Sequence, residues 1–115
     1  MSNDHQITIA PFDGTITVIA GDTNVATSER AFVLRESGYP PRYYIPLSDV
    51  IASTCQGSDT ATHCHFKGDA TYFNVVTDDS VIIDAAWCYR DPIPDVAEIK
   101  SHLSFNENLV TVQFS

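Results

Sequence analysis

Between His63 and Tyr89 the chain carries two long runs, HCHFKGDATYFNVVT and SVIIDAAWCY, joined at TDDS. Valine, isoleucine, threonine and aromatic residues dominate both, and a short polar cluster separates them. That is the pattern of two strands folded back on each other in a hairpin. A chain that commits so much of its middle to paired strands has to find further strands to cover them. The rest of the sequence supplies these. Gln6–Pro11 and Thr15–Ala20 alternate polar and apolar residues, as half-buried strands do. The turn cluster Gly21–Asn24 leads into Val25–Ser37, which alternates again or makes a short helical turn. In Gly38–Arg42 (GYPPR) the prolines fix φ and push their predecessors toward extended backbone, so this stretch cannot be helical. YYIPL then reads as a short edge or terminal strand, and the Ser, Asp, Thr and Gly of Ser53–Thr62 read as a loop.

Near the C-terminus DPIPD has the chemistry of a helix entry: an aspartate to accept from unpaired N–H groups, then proline in the first turn. Val96, Ile99 and Leu103 fall on one stripe, which predicts a helix over about Pro94–Leu103. Leu109–Phe114 is the last expected strand. The expectation is a mainly β (α+β) protein, one small antiparallel domain over residues 1–115 with one C-terminal helix.

Composition narrows the function. The 115 residues carry a net charge of -9 with only six Lys and Arg. Such a surface repels a phosphodiester backbone and anionic lipid, so neither nucleic acid nor membrane is an expected partner. No apolar run approaches the ~20 residues of a membrane span, and the N-terminus does not read as a secretory signal. Three cysteines, Cys55, Cys64 and Cys88, show no CxxC spacing, which fits three free thiols and a cytoplasmic setting.

Four blocks in order, GYPPRYYIP, THCHFKGDATYF, DAAWCYRDP and IKSHLSF, resemble the domain-of-unknown-function family 427. The resemblance runs from about Ile7 to Phe114. His65 stands where that family usually has proline. The resemblance implies a β-rich, β-tent-like fold. Some β-tent relatives hold zinc between two cysteine-bearing hairpins. It also brings an old label as a nucleotidyltransferase-like domain.

The residues do not support that label. Metal-dependent nucleotidyl transfer needs a glycine-rich phosphate cradle and convergent carboxylates. The sequence has no GxGxxG or GxxxxGK, and Asp78 and Asp79 fall in a turn. Zinc is not expected either. His63 and His65 could share a strand face, but the cysteine set of a zinc knuckle is missing. No metal or cofactor is expected. Cys64 beside His63 invites a thiolate–imidazole dyad, yet strand neighbours point to opposite faces. His102 would serve as base only if the fold brings it over.

What remains is a pocket. Lysine, arginine and histidine are costly to bury unpaired, so their presence within apolar β blocks predicts an opening there. The expected cleft unites Arg30, Tyr43, His63, Lys67, Trp87 and His102, with Tyr39 and Tyr72 as further aromatic lining. Gly68 after Lys67 would let the backbone approach a ligand. A small-molecule binding module for a small, anionic ligand is the leading expectation. A hydrolase or transferase using His63, Lys67 or His102 is the alternative. A structural homo-oligomer pairing through strand edges is the third.

Overall fold

The computed structural model describes residues 6–115. Ten strands form: β1 (Ile7–Pro11), β2 (Ile16–Ala20), β3 (Thr23–Ser28), β4 (Phe32–Glu36), β5 (Arg42–Pro46), β6 (Cys55–Cys64), β7 (Gly68–Val76), β8 (Val81–Tyr89), β9 (His102–Phe105) and β10 (Thr111–Phe114). Three short 3-10 turns, Leu47–Asp49, Ala52–Thr54 and Pro94–Ile99, are interspersed. The mainly β reading holds. No helix among the described residues is long and apolar enough to cross a membrane.

The strands make two antiparallel sheets. One has seven strands in the order β1-β4-β5-β9-β8-β7-β6, the other three in the order β10-β2-β3. Alternation explains the layers. Every second residue of β2 is buried, Ile16, Val18 and Ala20, and these meet Ile45, Val75, Ala86, Cys88, Leu103 and Phe105 of the larger sheet. The opposite face of the larger sheet carries a second core of Leu34, Tyr44, Ala70 and Tyr89, capped by Val96 and Ile99. In β5, Tyr43 joins the first core, and its neighbour Tyr44 the second.

Three expectations are corrected. The C-terminal helix does not form. Pro94–Ile99 is a 3-10 turn with a non-helical Val96 (φ -126°, ψ 32°), and Ser101 turns the chain at φ 60°. The following residues then become β9, a central strand paired on both sides, with Leu103 opposite Ile45 and Cys88. Two ladders of backbone hydrogen bonds outweigh the weak helical preference of a short, proline-started segment. The apolar stripe was real, since Val96, Ile99 and Leu103 are all fully buried. A 3-10 turn eclipses positions i and i+3 and so buries Val96 and Ile99 together.

Ser53–Thr62 is not a loop. Most of it is β6, an edge strand on β7 with a register shift between Gly57 and Ala61. Its polar composition belongs to a strand with little core to face. Finally, His63–Thr77 is not one strand. The chain reverses after Cys64, where the Lys67 N–H donates to the Cys64 carbonyl at 3.1 Å. Gly68 completes the reversal at φ 119°, where an added Cβ would lie 3.3 Å from the Asp91 carbonyl oxygen. The Lys67 carbonyl also accepts from the Ile93 N–H at 2.9 Å. This turn is therefore held on both sides. Gly68→Ala is expected to cost about 1–3 kcal/mol from backbone strain and the close contact. Chemical denaturation checks this, and a variant within about 0.5 kcal/mol of the parent would show that the turn relaxes freely.

Candidate functional site: a cleft on the concave face

The second core does not cover its sheet face completely. Beside it lies an open cleft of about 790 Å³, walled by the Tyr39–Arg42 segment and by Phe66 and Lys67 of the β6–β7 turn. Strand parity brings its floor together. Trp87 and Tyr89 are two apart on β8, and Tyr72 of β7 lies directly opposite Trp87. Trp87 also pairs with the buried Ser104 of β9. Tyr44 precedes Ile45, which pairs with Leu103, so Tyr44 lies alongside Ser104 on the far side. A small serine between two large rings leaves room for the Trp87 indole N–H to donate to the Tyr44 hydroxyl at 3.4 Å.

One ion pair closes the cleft at depth. Lys67 Nζ donates to Glu36 Oε1 at 2.6 Å, and both side chains are only 10% exposed. In the sheet β4 and β7 are separated by β5, β9 and β8. Four strand spacings of about 4.8 Å make about 19 Å across a flat sheet, beyond the joint reach of two side chains. The sheet therefore curls, and Lys67–Glu36 clasps its two halves over the concave face. Lys67 Nζ also lies 3.7 Å from Cys64 Sγ.

Burial sets the ionisation of the tyrosines. The Tyr44 hydroxyl is pushed up to about 12 by burial, partly offset by the Trp87 hydrogen bond. Burial also raises Tyr89, and its neighbours Tyr44 and Cys64 add to the shift. Both are phenols at neutral pH, able to donate. Arg42 places its guanidinium 5.6 Å from the Trp87 ring centroid, a cation–π contact. Asp84 lines the cleft with φ 53°, next to a register shift between β7 and β8. Its two carboxylate oxygens accept from Ser58 Oγ at 2.6 Å and Thr60 Oγ1 at 2.7 Å.

A family model described as Domain of unknown function (DUF427) matches residues 8–115, nearly the whole chain. The chain belongs to this family. A search of curated proteins gives no significant match. In this DUF427 domain no group of three or more His, Cys, Asp or Glu side chains among the described residues is placed to hold a metal ion.

The structure brings together four of the residues singled out from sequence: Tyr39, Lys67, Tyr72 and Trp87 line the cleft. The other four lie elsewhere. Arg30 is on the surface, paired with Asp49 at 2.8 Å and with Ser48. Tyr43 points to the other face, where its ring packs 4.7 Å from Phe114 and 5.7 Å from Phe12. His63 is exposed on the hairpin, with Nδ1 2.7 Å from Asp69. His102 packs with its ring 5.4 Å from that of Phe32, tilted by 50°, and bonds the Lys100 carbonyl through Nδ1. The cleft drawn from Arg30, Tyr43, His63, Lys67, Trp87 and His102 thus keeps only Lys67 and Trp87. The shared face argued for His63 and Lys67 fails because a turn, not a strand, separates them.

Glu36, Arg42, Tyr44, Cys64, Asp84 and Tyr89 were missing from the sequence-derived site. For three of them a signal existed. Arg42 and Tyr44 share the period-two face opposite Tyr43 and Ile45, and Tyr89 shares that of Trp87. Nothing local announced Glu36, whose partner is 31 positions away.

The acids of this DUF427 domain make one pH prediction. Hydrogen bonds from Ser58 and Thr60 hold Asp84 below its ordinary value of 3.8, and Arg30 and Ser28 do the same for Asp49. A lowered carboxylate stabilises the fold above the unfolded value, and that contribution disappears as pH falls through the folded one. Stability should therefore drop below about pH 4. Asp84→Asn should make that drop shallower, since asparagine also tolerates the positive φ. Thermal midpoints across the acid range check this, and parallel curves would refute it.

Proposed function

We propose that this protein is a small-molecule binding module whose ligand sits in the concave cleft. The observation that carries the reading is the collection of Trp87, Tyr72 and Tyr39 with Arg42 and Lys67 around about 790 Å³ of open space. That volume falls in the range of ligand sites, which combine aromatic walls with a few placed polar groups. An anionic group on the ligand fits the two cations. Lys67, already clasped by Glu36, mainly shapes the site.

Trp87 is the only tryptophan in the chain, so its fluorescence reports on the cleft alone. Protein purified gently from cell extract should show a bound mass in native mass spectrometry. Removing that mass should shift Trp87 emission, and adding it back should restore it. A chain that stays ligand-free under these conditions, with emission indifferent to extract metabolites, would count against the proposal.

One observation favours a second reading as an enzyme. Cys64 Sγ lies in the cleft wall, 3.7 Å from the Lys67 ammonium, which is a setting for a nucleophile. His63 and His102 lie off the cleft, so this reading rests on Cys64 and Lys67. Ligand turnover abolished by Cys64→Ser, with binding intact, would establish it. The β-tent likeness belongs to the same proposal, supported by two antiparallel sheets meeting over one core. So do a cytoplasmic setting, supported by three unbridged thiols, and a homo-oligomer, supported by the outer edge of β6, which no strand among the described residues covers.

A further inference from the structure

We propose that the cleft selects a flat aromatic monocarboxylate and that Arg42 is the residue that reads its carboxylate. The inference rests on the binding reading above and names the ligand class.

The charges around the cleft single out Arg42. Three acids line it, Glu36, Asp84 and Glu107. Glu36 holds Lys67 at 2.6 Å, and the Asp84 oxygens hold Ser58 and Thr60. Glu107 is exposed at the rim. Of the other cations, Arg30 is committed to Asp49. Arg90 bonds Thr71 and covers Phe73, and Arg35 and Lys100 are exposed outside the lining. Arg42 is half-buried and lines the cleft, and it forms no ion pair with any described residue. Its guanidinium lies over the Trp87 ring, 5.6 Å from the centroid. A guanidinium resting on an indole keeps its in-plane N–H fork available, and that fork matches a carboxylate bidentately. The cleft therefore holds a positioned positive group whose hydrogen-bonding edge is unused within the described residues.

Total charge decides against a phosphate. Arg42 and Lys67 stand against Glu36, Asp84 and Glu107, one more negative group than positive, in a chain of net charge -9. A dianion would meet net repulsion on entry, whereas a monoanion can be neutralised by Arg42 alone. The shape of the walls sets the rest of the ligand. Trp87, Tyr72, Tyr39 and Phe66, with Pro40 and Pro41, offer rings and rigid pyrrolidines rather than flexible chains. Such walls favour a flat ring, through apolar burial and stacking.

The test uses the intact protein and four naphthalene probes: 2-naphthoate, its neutral amide, 2-naphthylmethylamine and 2-naphthyl phosphate. Acetate is a fifth, lacking the ring. Saturation-transfer NMR and Trp87 fluorescence measure binding. One charge-assisted pair contributes about 1.5–3 kcal/mol, so naphthoate should bind about 10- to 100-fold tighter than the amide. The phosphate, the amine and acetate should all bind more weakly than naphthoate. Arg42→Gln should erase the advantage of naphthoate over the amide while the amide still binds, which shows that the variant is folded. Arg42→Lys should restore part of it, because the charge returns without the fork. If the amide or amine matches naphthoate, or if Arg42→Gln leaves naphthoate affinity unchanged, the ligand class is wrong and the cleft remains a binding site for something else. If naphthyl phosphate binds best, the monoanion argument is overturned. If no naphthyl probe binds, the flat-ring argument is overturned, and the bound mass sought in native mass spectrometry decides separately whether the cleft is a site at all.

Discussion

Lys67→Met should destabilise the protein by about 3–5 kcal/mol, and Glu36→Gln added to it should recover most of that loss. The reasoning is in the burial. At 10% exposure neither side chain is well hydrated, and their 2.6 Å contact offsets part of the cost of that burial. Removing the ammonium leaves a carboxylate in a poorly solvated place. Replacing both charged groups with neutral ones of similar size removes the penalty along with the attraction, and buried pairs exchanged this way often come out near neutral. The comparison pair is Arg30–Asp49. Its distance is nearly the same, 2.8 Å, but Arg30 is 64% exposed. Water and salt screen it, so Arg30→Ala should cost far less than Lys67→Met. Urea midpoints for the single and double variants form a cycle whose coupling term isolates the Lys67–Glu36 interaction. A Lys67→Met cost no larger than that of Arg30→Ala would mean that the clasp is solvated in solution, and the curled sheet would need another explanation.

That ion pair also marks the limit of what the sequence reveals. Most strands were legible because their signal is local: TITVIA alternates, and three buried side chains on β2 follow from it. The hairpin at TDDS was legible for the same reason. β6 was not, because an exposed edge strand needs no apolar face and is held by backbone bonds to β7, which composition does not record. The reversal at His65–Lys67 was hidden too. Its signal is a single glycine, and a glycine there fits a close ligand approach within one long strand just as well.

The candidate site was half legible, and parity explains which half. Trp87, Tyr72 and Lys67 were chosen for residue type and happen to face inward. Tyr43 was chosen for the same reason and faces outward, while Tyr44 beside it faces the cleft. Residue type cannot decide between neighbours. The face of Ile45 could have, since an isoleucine two positions on assigns Tyr43 to the same core. Arg30 enters as a cation and His102 as a candidate acid–base group, and each has its own partner outside the cleft.

Ile99→Ala should cost about 2–5 kcal/mol, as much as a truncation in any well-packed core. The effect is large although Ile99 lies in a 3-10 turn rather than in the helix that its spacing predicts. What matters is the side chain's place, and Ile99 is fully buried in the second core together with Leu34, Tyr44, Ala70, Tyr89 and Val96. The turn is short, so it contributes little through its own hydrogen bonds and is held by packing. Removing the Ile99 side chain should therefore leave a cavity beneath the tyrosines and free the turn that caps them. The consequence reaches the cleft, since Tyr44, Tyr72, Tyr89 and Trp87 belong to or pack on this same cluster. Trp87 emission should shift in the variant under native conditions, before any unfolding. Leu103→Ala should cost a similar amount, because Leu103 is equally buried, but its side chain faces the first core between the two sheets. It should leave Trp87 emission nearly unchanged. Stability and emission together thus separate the two faces of the sheet. If both variants shift Trp87 alike, or if Ile99→Ala costs less than about 1 kcal/mol, the 94–99 turn does not support the cleft floor in the way its burial implies.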